Sequence, residues 1–304
     1  MAKFDKWLDG LPADATVADA ARIAVATRSA EVVARLPLAA QGMDQDPEHV
    51  HQLRVAARRT AAALKIFRRT LPEKQADRLK WSLRIARRAA GPARDLDVFL
   101  MRLQQEQALP GLQGRLYAQR EVVQSDLQRA CDKLKGGKKV ARQAEKLVRR
   151  IPAGYNRARR LGKRPFAPWA GKTLRREASR FLDAAPGVDA EIEELHRFRI
   201  AAKRLRYSLE VLTLGITRDE SEEAYAQLRD LQNHLGDVND SASLLAWLKR
   251  ALKDTSRSER DALNEMLRNE KRRLRRESEA VLEWWDPDRA RRLAALLGAE
   301  DKQA

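Results

Sequence analysis

The sequence predicts an all-α fold made of two pseudo-twofold-related helical bundles. Three observations predict it. Ala, Leu, Arg, Glu and Gln dominate, and apolar residues recur at helical spacing with no convincing strand alternation. Gly and Pro punctuate the chain at helix-length intervals. The chain also matches itself, without a gap, when shifted by 145 residues. Over positions 35–103, 18 of 69 residues are identical to their shifted counterparts. That is about 26%, against under about ten percent by chance in so Ala- and Arg-rich a chain, so an internal duplication is the simplest explanation.

In chain order, helices are predicted at roughly 13–36, 46–70, 73–90, 94–109 and 111–135. Pro47 and Pro72 fall where a first turn tolerates proline. Gly42, Gly91, Gly111, Gly187 and Gly236 fall near the breaks. Lys138 to Ile151 reads as an amphipathic helix, with Val140, Ala144, Leu147, Val148 and Ile151 inward and a cationic stripe outward. Pro152 to Pro168, holding Gly154, Gly162 and Pro165, reads as a linker. A second set follows at roughly 168–185, 189–214, 218–235, 238–253, 256–284 and 287–298. The predicted organisation is one domain over 1–304. It comprises a repeat half at about 13–135, a basic helix and linker at about 136–167, and a second half at about 168–298.

Charge narrows the function classes. The 304 residues carry 61 Lys plus Arg against 43 Asp plus Glu, a net charge of +18. Such a surface selects nucleic acid, acidic membrane or another polyanion as partner. Aromatics make up only 5%, which weighs against many base-stacking platforms. The single Cys131 excludes an internal disulfide and a thiolate zinc cluster, and fits a reducing compartment. No apolar run approaches a membrane span, and Met1 to Lys6 carries no hydrophobic signal segment, so a cytoplasmic location is expected. Residues 133–164 hold thirteen cations against Glu145 alone, twelve of the eighteen net charges. This stretch reads as a solvated connector or an auxiliary surface.

The features that both copies keep are more informative than the total. His51-Gln52-Leu53-Arg54-Val55-Ala56-Ala57-Arg58-Arg59 lies over His196-Arg197-Phe198-Arg199-Ile200-Ala201-Ala202-Lys203-Arg204. At about 100° per residue, His51, Arg54, Arg58 and Lys65 share one narrow helix face, opposite Leu53, Ala56, Ala57, Leu64 and Phe67. His196, Arg199, Lys203 and Arg206 do the same, with Glu210 at the position of Lys65. Arg59 and Arg204 point about 80° away and rank second. Like charges at i, i+4 cost an isolated helix a few tenths of a kcal/mol each, and a polyanion would offset that repulsion. A metal is disfavoured, since the neighbours of His51 on its own face are cations. Gly91 to Asp97 and Gly236 to Asp240 form the second kept element, read as a helix end whose following Asp caps the next helix or holds an Arg side chain.

His51-x-x-Arg54-Val55-x-x-Arg58-Arg59 followed by Gly91-x-x-Arg94-Asp95-x-Asp97-Val98 resembles the first half of a CHAD domain, the conserved histidine α-helical domain. His196-x-x-Arg199-Ile200-x-x-Lys203-Arg204-x-Arg206-Tyr207 followed by Leu235-Gly236-Asp237-Val238-Asn239-Asp240 resembles its second half. The resemblance runs from about residue 15 to about 285, and it leaves the basic 133–164 stretch outside the family pattern. It implies two helical bundles and binding of inorganic polyphosphate along a basic surface or pore at their junction, with association to polyphosphate granules in some members. Position by position, it implies roles for His51, Arg54, Arg58, Arg94, His196, Arg199, Lys203 and Arg206. Lys65, Arg59 and Arg204 complete the candidate set.

The expected function is therefore non-catalytic polyphosphate binding, with no cofactor and no metal. Arg supplies paired donors to phosphate oxygens and Lys a point charge. Nucleic acid is the alternative partner, although the kept basic face has no interleaved aromatics and no readout motif. A membrane-surface role is weaker still, because the 138–151 helix has no aromatic anchors. A triphosphate hydrolase is less favoured. Glu191-Ile192-Glu193 comes closest to a tunnel-fold Glu-x-Glu-x-Lys signature, but Leu195 stands where Lys is required. No phosphate-binding Gly-x-x-x-x-Gly-Lys loop is present either.

Overall fold

A computed structural model of the chain describes residues 5–8, 10–41, 46–105, 110–151, 157–213, 217–254 and 257–299. Gly42 and Gly154 lie outside the described residues. The described residues form eleven α-helices and no β-strand, with one isolated bridge between Thr16 and Pro165. The helices are α1 Val17–Ala40, α2 Glu48–Ile66, α3 Glu73–Gln105, α4 Pro110–Lys133, α5 Lys138–Val148 and α6 Arg157–Gly162. They continue as α7 Phe166–Leu182, α8 Ile192–Leu212, α9 Arg218–Ala251, α10 Arg257–Trp284 and α11 Pro287–Leu296. The fold is all-α. The chain divides into two compact units. Unit 1 is Met1–Met101, Gly114–Lys172 and Glu210–Gly215; unit 2 is Arg102–Gln113, Thr173–Leu209 and Ile216–Ala304.

In unit 1, α1 packs on α2 and α5. Its start is fixed by a capping box. The Asp19 amide donates to Thr16 Oγ1 at 3.3 Å and the Thr16 amide donates to the Asp19 carboxylate at 3.0 Å. Small residues at the contact, Ala20, Ala21 and Ala24 on α1 with Ala56, Ala57 and Ala63 on α2, are fully buried. Phe67, Phe166 and Trp169 form an aromatic cluster, with the Phe67 and Trp169 rings stacked at 5.5 Å. Phe67 is fully buried, and Phe67→Ala would cost about 3–5 kcal/mol. α5 opens at Gly137, whose φ is 93° and where a Cβ would stand 3.0 Å from the Val33 carbonyl oxygen. Only glycine fits both the left-handed backbone and this approach of α5 to α1. Val140, Ala144 and Leu147 are buried, so α5 is the amphipathic basic helix that its periodicity predicts.

Unit 2 is built around α9 and α10, with α11 on α9. The Phe181 and Phe198 rings stack at 4.9 Å, and Trp285 meets both edge-on. Arg102, which belongs to this unit, donates to Glu270 at 2.6 Å and to Ser241 at 2.8 Å, tying the end of α3 to α9 and α10.

Three sequence expectations are corrected. The predicted breaks at Gly91-Pro92 and at Gly236 do not occur: α3 runs through the first and α9 through the second. Asp95 and Asp240 therefore sit inside helices and not at caps, and Asp95 instead faces the Arg54 guanidinium at 3.8 Å, the other role expected of it. Pro92 cannot donate to the carbonyl four residues earlier, yet α3 continues through it. The described part of the predicted linker is not free either. It contains α6, and its end is pinned to the start of α1 by Val17 N to Arg164 O at 2.9 Å and Phe166 N to Ala15 O at 2.8 Å.

Candidate anion-binding cleft

α2 and α3 set the site in unit 1. On α3, residues 84, 87, 88, 91 and 95 fall within about 100° of arc because the helix is continuous. On α2, Arg54 and Arg58 lie on one face. Together Arg54, Arg58, Arg84, Arg87, Arg88, Gly91, Pro92 and Asp95 line a cleft of about 470 Å³. Five guanidiniums thus meet one carboxylate. Arg58 is half-buried, and Arg84, Arg87 and Arg88 are exposed.

Arg54 is the hinge of this arrangement. Its Nη1 donates to the Gly91 carbonyl at 2.7 Å and to the Ala90 carbonyl at 3.3 Å, and stands 3.8 Å from Asp95. A Cβ on Gly91 would lie 3.4 Å from that nitrogen, so Gly91 leaves the guanidinium room against the helix. Arg54 both positions α3 and contributes charge to the cleft.

His51 is half-buried one turn earlier on α2. Burial holds its pKa below the ordinary 6.5, and the Arg94, Arg54 and Arg58 guanidiniums push the same way against the opposing pull of Glu48. Arg94 therefore stands near His51, although it does not line the cleft. Lys65 is exposed in the last turn of α2, outside the cleft.

Arg59 is the candidate that the structure moves. Its side chain is only 12% exposed. Its Nε donates to Glu210 Oε2 at 2.8 Å and its Nη2 to Glu210 Oε1 at 3.3 Å, while Glu31 stands at 3.5 Å. Arg28 completes the group 4.0 Å from Glu210. The 80° offset on α2 carries Arg59 into the interior rather than to the cleft. Glu210, which stands at the position of Lys65 in the second stripe, is 1% exposed and serves as its counter-ion.

In unit 2, α8 carries His196 exposed and Arg199, Lys203 and Arg206 half-buried. The Arg206 guanidinium lies over the Tyr207 and Tyr225 rings at 5.2 and 5.5 Å. Arg204 pairs with Glu177 of α7 at 2.6 Å, so it too is engaged by a carboxylate, away from its neighbours on the stripe. Asp97 of the second kept element is buried and accepts from Arg120 Nε at 2.6 Å. Burial raises its pKa, and Arg120 opposes the shift. Arg120 donates to Gln124, whose amide in turn donates to the last carbonyls of α1. This chain explains the Asp structurally. Among the described residues no group of three or more His, Cys, Asp or Glu is placed to hold a metal ion.

Arg84, Arg87 and Arg88 were missed as site residues. The signal existed, since Arg84 is identical to Arg229, 145 residues later. Splitting α3 at Gly91 hid the common face.

An all-α chain whose arginines converge from two helices on one cleft presents a strongly cationic surface. The CHAD domain family model matches residues 23–249, and the chain belongs to this family, which is linked to polyphosphate binding. Its structure is similar to that of the CHAD domain from the plant Ricinus communis, with a TM-score of 0.69 at 21% identity, covering 99% of this chain and 98% of that one. It is also similar to PptA from Streptomyces chartreusis, with a TM-score of 0.65 at 15% identity, covering 89% of this chain and 99% of that one. At these identities the likeness is one of fold. No curated protein sequence matches the chain. Among the described residues no helix is long and apolar enough to cross a membrane.

Proposed function

We propose that the protein binds inorganic polyphosphate without transforming it, and that the α2–α3 cleft of unit 1 is a principal contact. One observation carries the reading: Arg54, Arg58, Arg84, Arg87 and Arg88 converge on a cleft whose one lining carboxylate is Asp95. So dense a group of guanidiniums is self-repulsive, and a linear chain of phosphates supplies matching charge along its length. Arg54, held against the α3 carbonyls, sets the spacing of the cleft walls. Arg58, Arg84, Arg87 and Arg88 grip phosphate oxygens. His51 adds a proton-dependent charge beside them, with Arg94. In unit 2, His196, Arg199, Lys203 and Arg206 form a second cationic face on α8 and take part in the same way. Lys65 adds long-range attraction, while Arg59 and Arg204 act through the fold. Granule association follows from polymer binding and is part of the proposal.

The duplication belongs to the same reading. Shifted by 145 residues, α2 and α3 fall on 193–211 and 218–250, against the observed Ile192–Leu212 and Arg218–Ala251. Two halves at about 13–135 and 168–298 of one domain then descend from one helical module.

The test is long-chain polyphosphate binding by wild type and by Arg58→Ala/Arg88→Ala, followed by calorimetry at near-physiological salt. Charge-assisted hydrogen bonds predict a loss of at least about tenfold for the pair. Unchanged affinity refutes the assignment of the cleft, and release of inorganic phosphate on incubation with Mg²⁺ refutes the non-catalytic reading.

A further inference from the structure

Unit 1 holds a second cationic pocket, made of different chemistry. The first half of α3 and the outer face of α5 enclose about 750 Å³ lined by Lys74, Gln75, Asp77, Arg78, Trp81, Lys139, Arg142, Gln143 and Lys146. Its volume lies in the range of small-molecule sites. Five cations line it. Its one carboxylate, Asp77, pairs with Lys80 at 2.9 Å. Its wall includes Trp81, an indole 40% exposed in a chain where large aromatics are mostly buried. Ser82 donates to Gln143 Oε1 at 2.7 Å, which fixes α5 against α3 and holds the pocket open at a set width.

We propose that this pocket binds a nucleobase carrying phosphate, either as a free nucleotide or as an unpaired nucleotide of a single-stranded nucleic acid. The α2–α3 cleft offers guanidiniums alone, which any polyphosphate satisfies. Here an exposed indole stands among cations, the pairing that single-strand binders use: the ring stacks on a base while the cations hold the backbone. Gln75 and Gln143 add amides to the same lining. In the free protein the Lys139 and Lys133 ammonium groups lie over the Trp81 ring at 4.6 and 5.4 Å. At exposed sites such contacts are weaker than base–aromatic stacking. Phosphate draws the ammonium groups off the ring and uncovers its face, so a ligand carrying both groups gains twice and inorganic polyphosphate gains once. The pocket also gives α5, the helix of the basic 133–164 stretch, a binding role that its total charge does not specify.

The test compares wild type, Trp81→Leu and Trp81→Phe in the full chain, with ATP, inorganic triphosphate and a twelve-residue oligothymidylate as probes. Loss of stacking predicts that Trp81→Leu weakens ATP and oligothymidylate by about 5- to 100-fold, with Trp81→Phe restoring most of the loss. Inorganic triphosphate and long-chain polyphosphate change less than twofold. Competition of oligothymidylate by ATP at similar concentrations assigns the site to free nucleotides; oligothymidylate binding much tighter than ATP assigns it to single strands. The proposal is overturned if Trp81→Leu leaves both base-bearing probes unchanged, or weakens triphosphate by the same factor. It is also overturned as a separate site if Arg58→Ala/Arg88→Ala, which tests the polyphosphate cleft, abolishes oligothymidylate binding.

Discussion

Arg59→Ala should separate a residue that holds the fold from Arg58, its neighbour in the same sequence motif, which is proposed to hold the ligand. The Arg59 guanidinium is bidentate on Glu210 at 2.8 and 3.3 Å, and Glu210 is 1% exposed. Removing one partner of a buried ion pair costs about 3–5 kcal/mol, because the other charge stays buried without compensation. Arg28, 4.0 Å from Glu210, remains and softens the loss, so the lower end, about 3 kcal/mol, is expected. At about 2 °C per kcal/mol for a chain of this size, thermal denaturation followed by circular dichroism at pH 7 should shift down by about 6 °C. Arg59 is also the largest influence lowering the Glu31 pKa against burial. Burial already raises the Glu31 pKa, and without Arg59 it rises further, so the destabilisation should grow as pH rises from 5 to 7. Arg59→Met/Glu210→Leu leaves Arg28 facing Glu31 and should lose less than the single variant. Polyphosphate affinity of folded Arg59→Ala should stay within about twofold of wild type, whereas Arg58→Ala should lose affinity with little change in melting. A melting temperature unchanged in Arg59→Ala, with an affinity loss like that of Arg58→Ala, would refute the division of labour.

The other expected outcomes concern salt, pH and two glycines. With five guanidiniums in the cleft, and phosphate binding treated by analogy with nucleic acid, polyphosphate affinity should fall by about two orders of magnitude between 50 and 200 mM salt. Arg58→Ala/Arg88→Ala should flatten the slope of a titration series; a salt-independent affinity contradicts the cleft. The His51 pKa is held down in the free protein by burial and by Arg94, Arg54 and Arg58, and a bound polyanion raises it, so affinity should climb as pH falls from 7 towards 5. His51→Gln should remove part of that climb. The same depressed pKa means that the unfolded chain binds the extra proton first, so His51 costs stability as pH drops below 6.5, and denaturant midpoints of His51→Gln should be less acid-sensitive. Gly137→Ala must place a Cβ 3.0 Å from the Val33 carbonyl at a φ of 93°, and should destabilise by more than about 1 kcal/mol in urea unfolding. Gly236→Ala meets nothing within 4 Å inside α9 and should stabilise by about 0.5–1 kcal/mol; destabilisation there would mean that the glycine is needed for its backbone.

The helix class, the amphipathic α5 and the α2 stripe were legible because periodicity and burial agree at each of them. What was not legible was decided by contacts between distant residues. Gly91-Pro92 has the local chemistry of a helix end. Yet Arg54, 37 residues away, donates to the Gly91 carbonyl, and α3 passes through unbroken. That one fact moves the site. A continuous α3 brings Arg84, Arg87 and Arg88 onto the same face as Gly91, and so into the cleft with Arg58. Likewise, counting along α2 separates Arg59 from Arg58 but does not name the carboxylate that receives Arg59. The 100° between them sends one to the cleft and the other to a buried carboxylate supplied by α8. Net charge, which first pointed to a polyanion, is therefore a poor guide to where that polyanion binds. Arg59 adds to the total and is engaged in the interior, while the five arginines of the cleft are a small fraction of the 61 cations. On the two proposals, the clefts differ in the ligand each would select, because the repulsion among the cations of both is relieved by any phosphate but only the one with an exposed indole rewards a base.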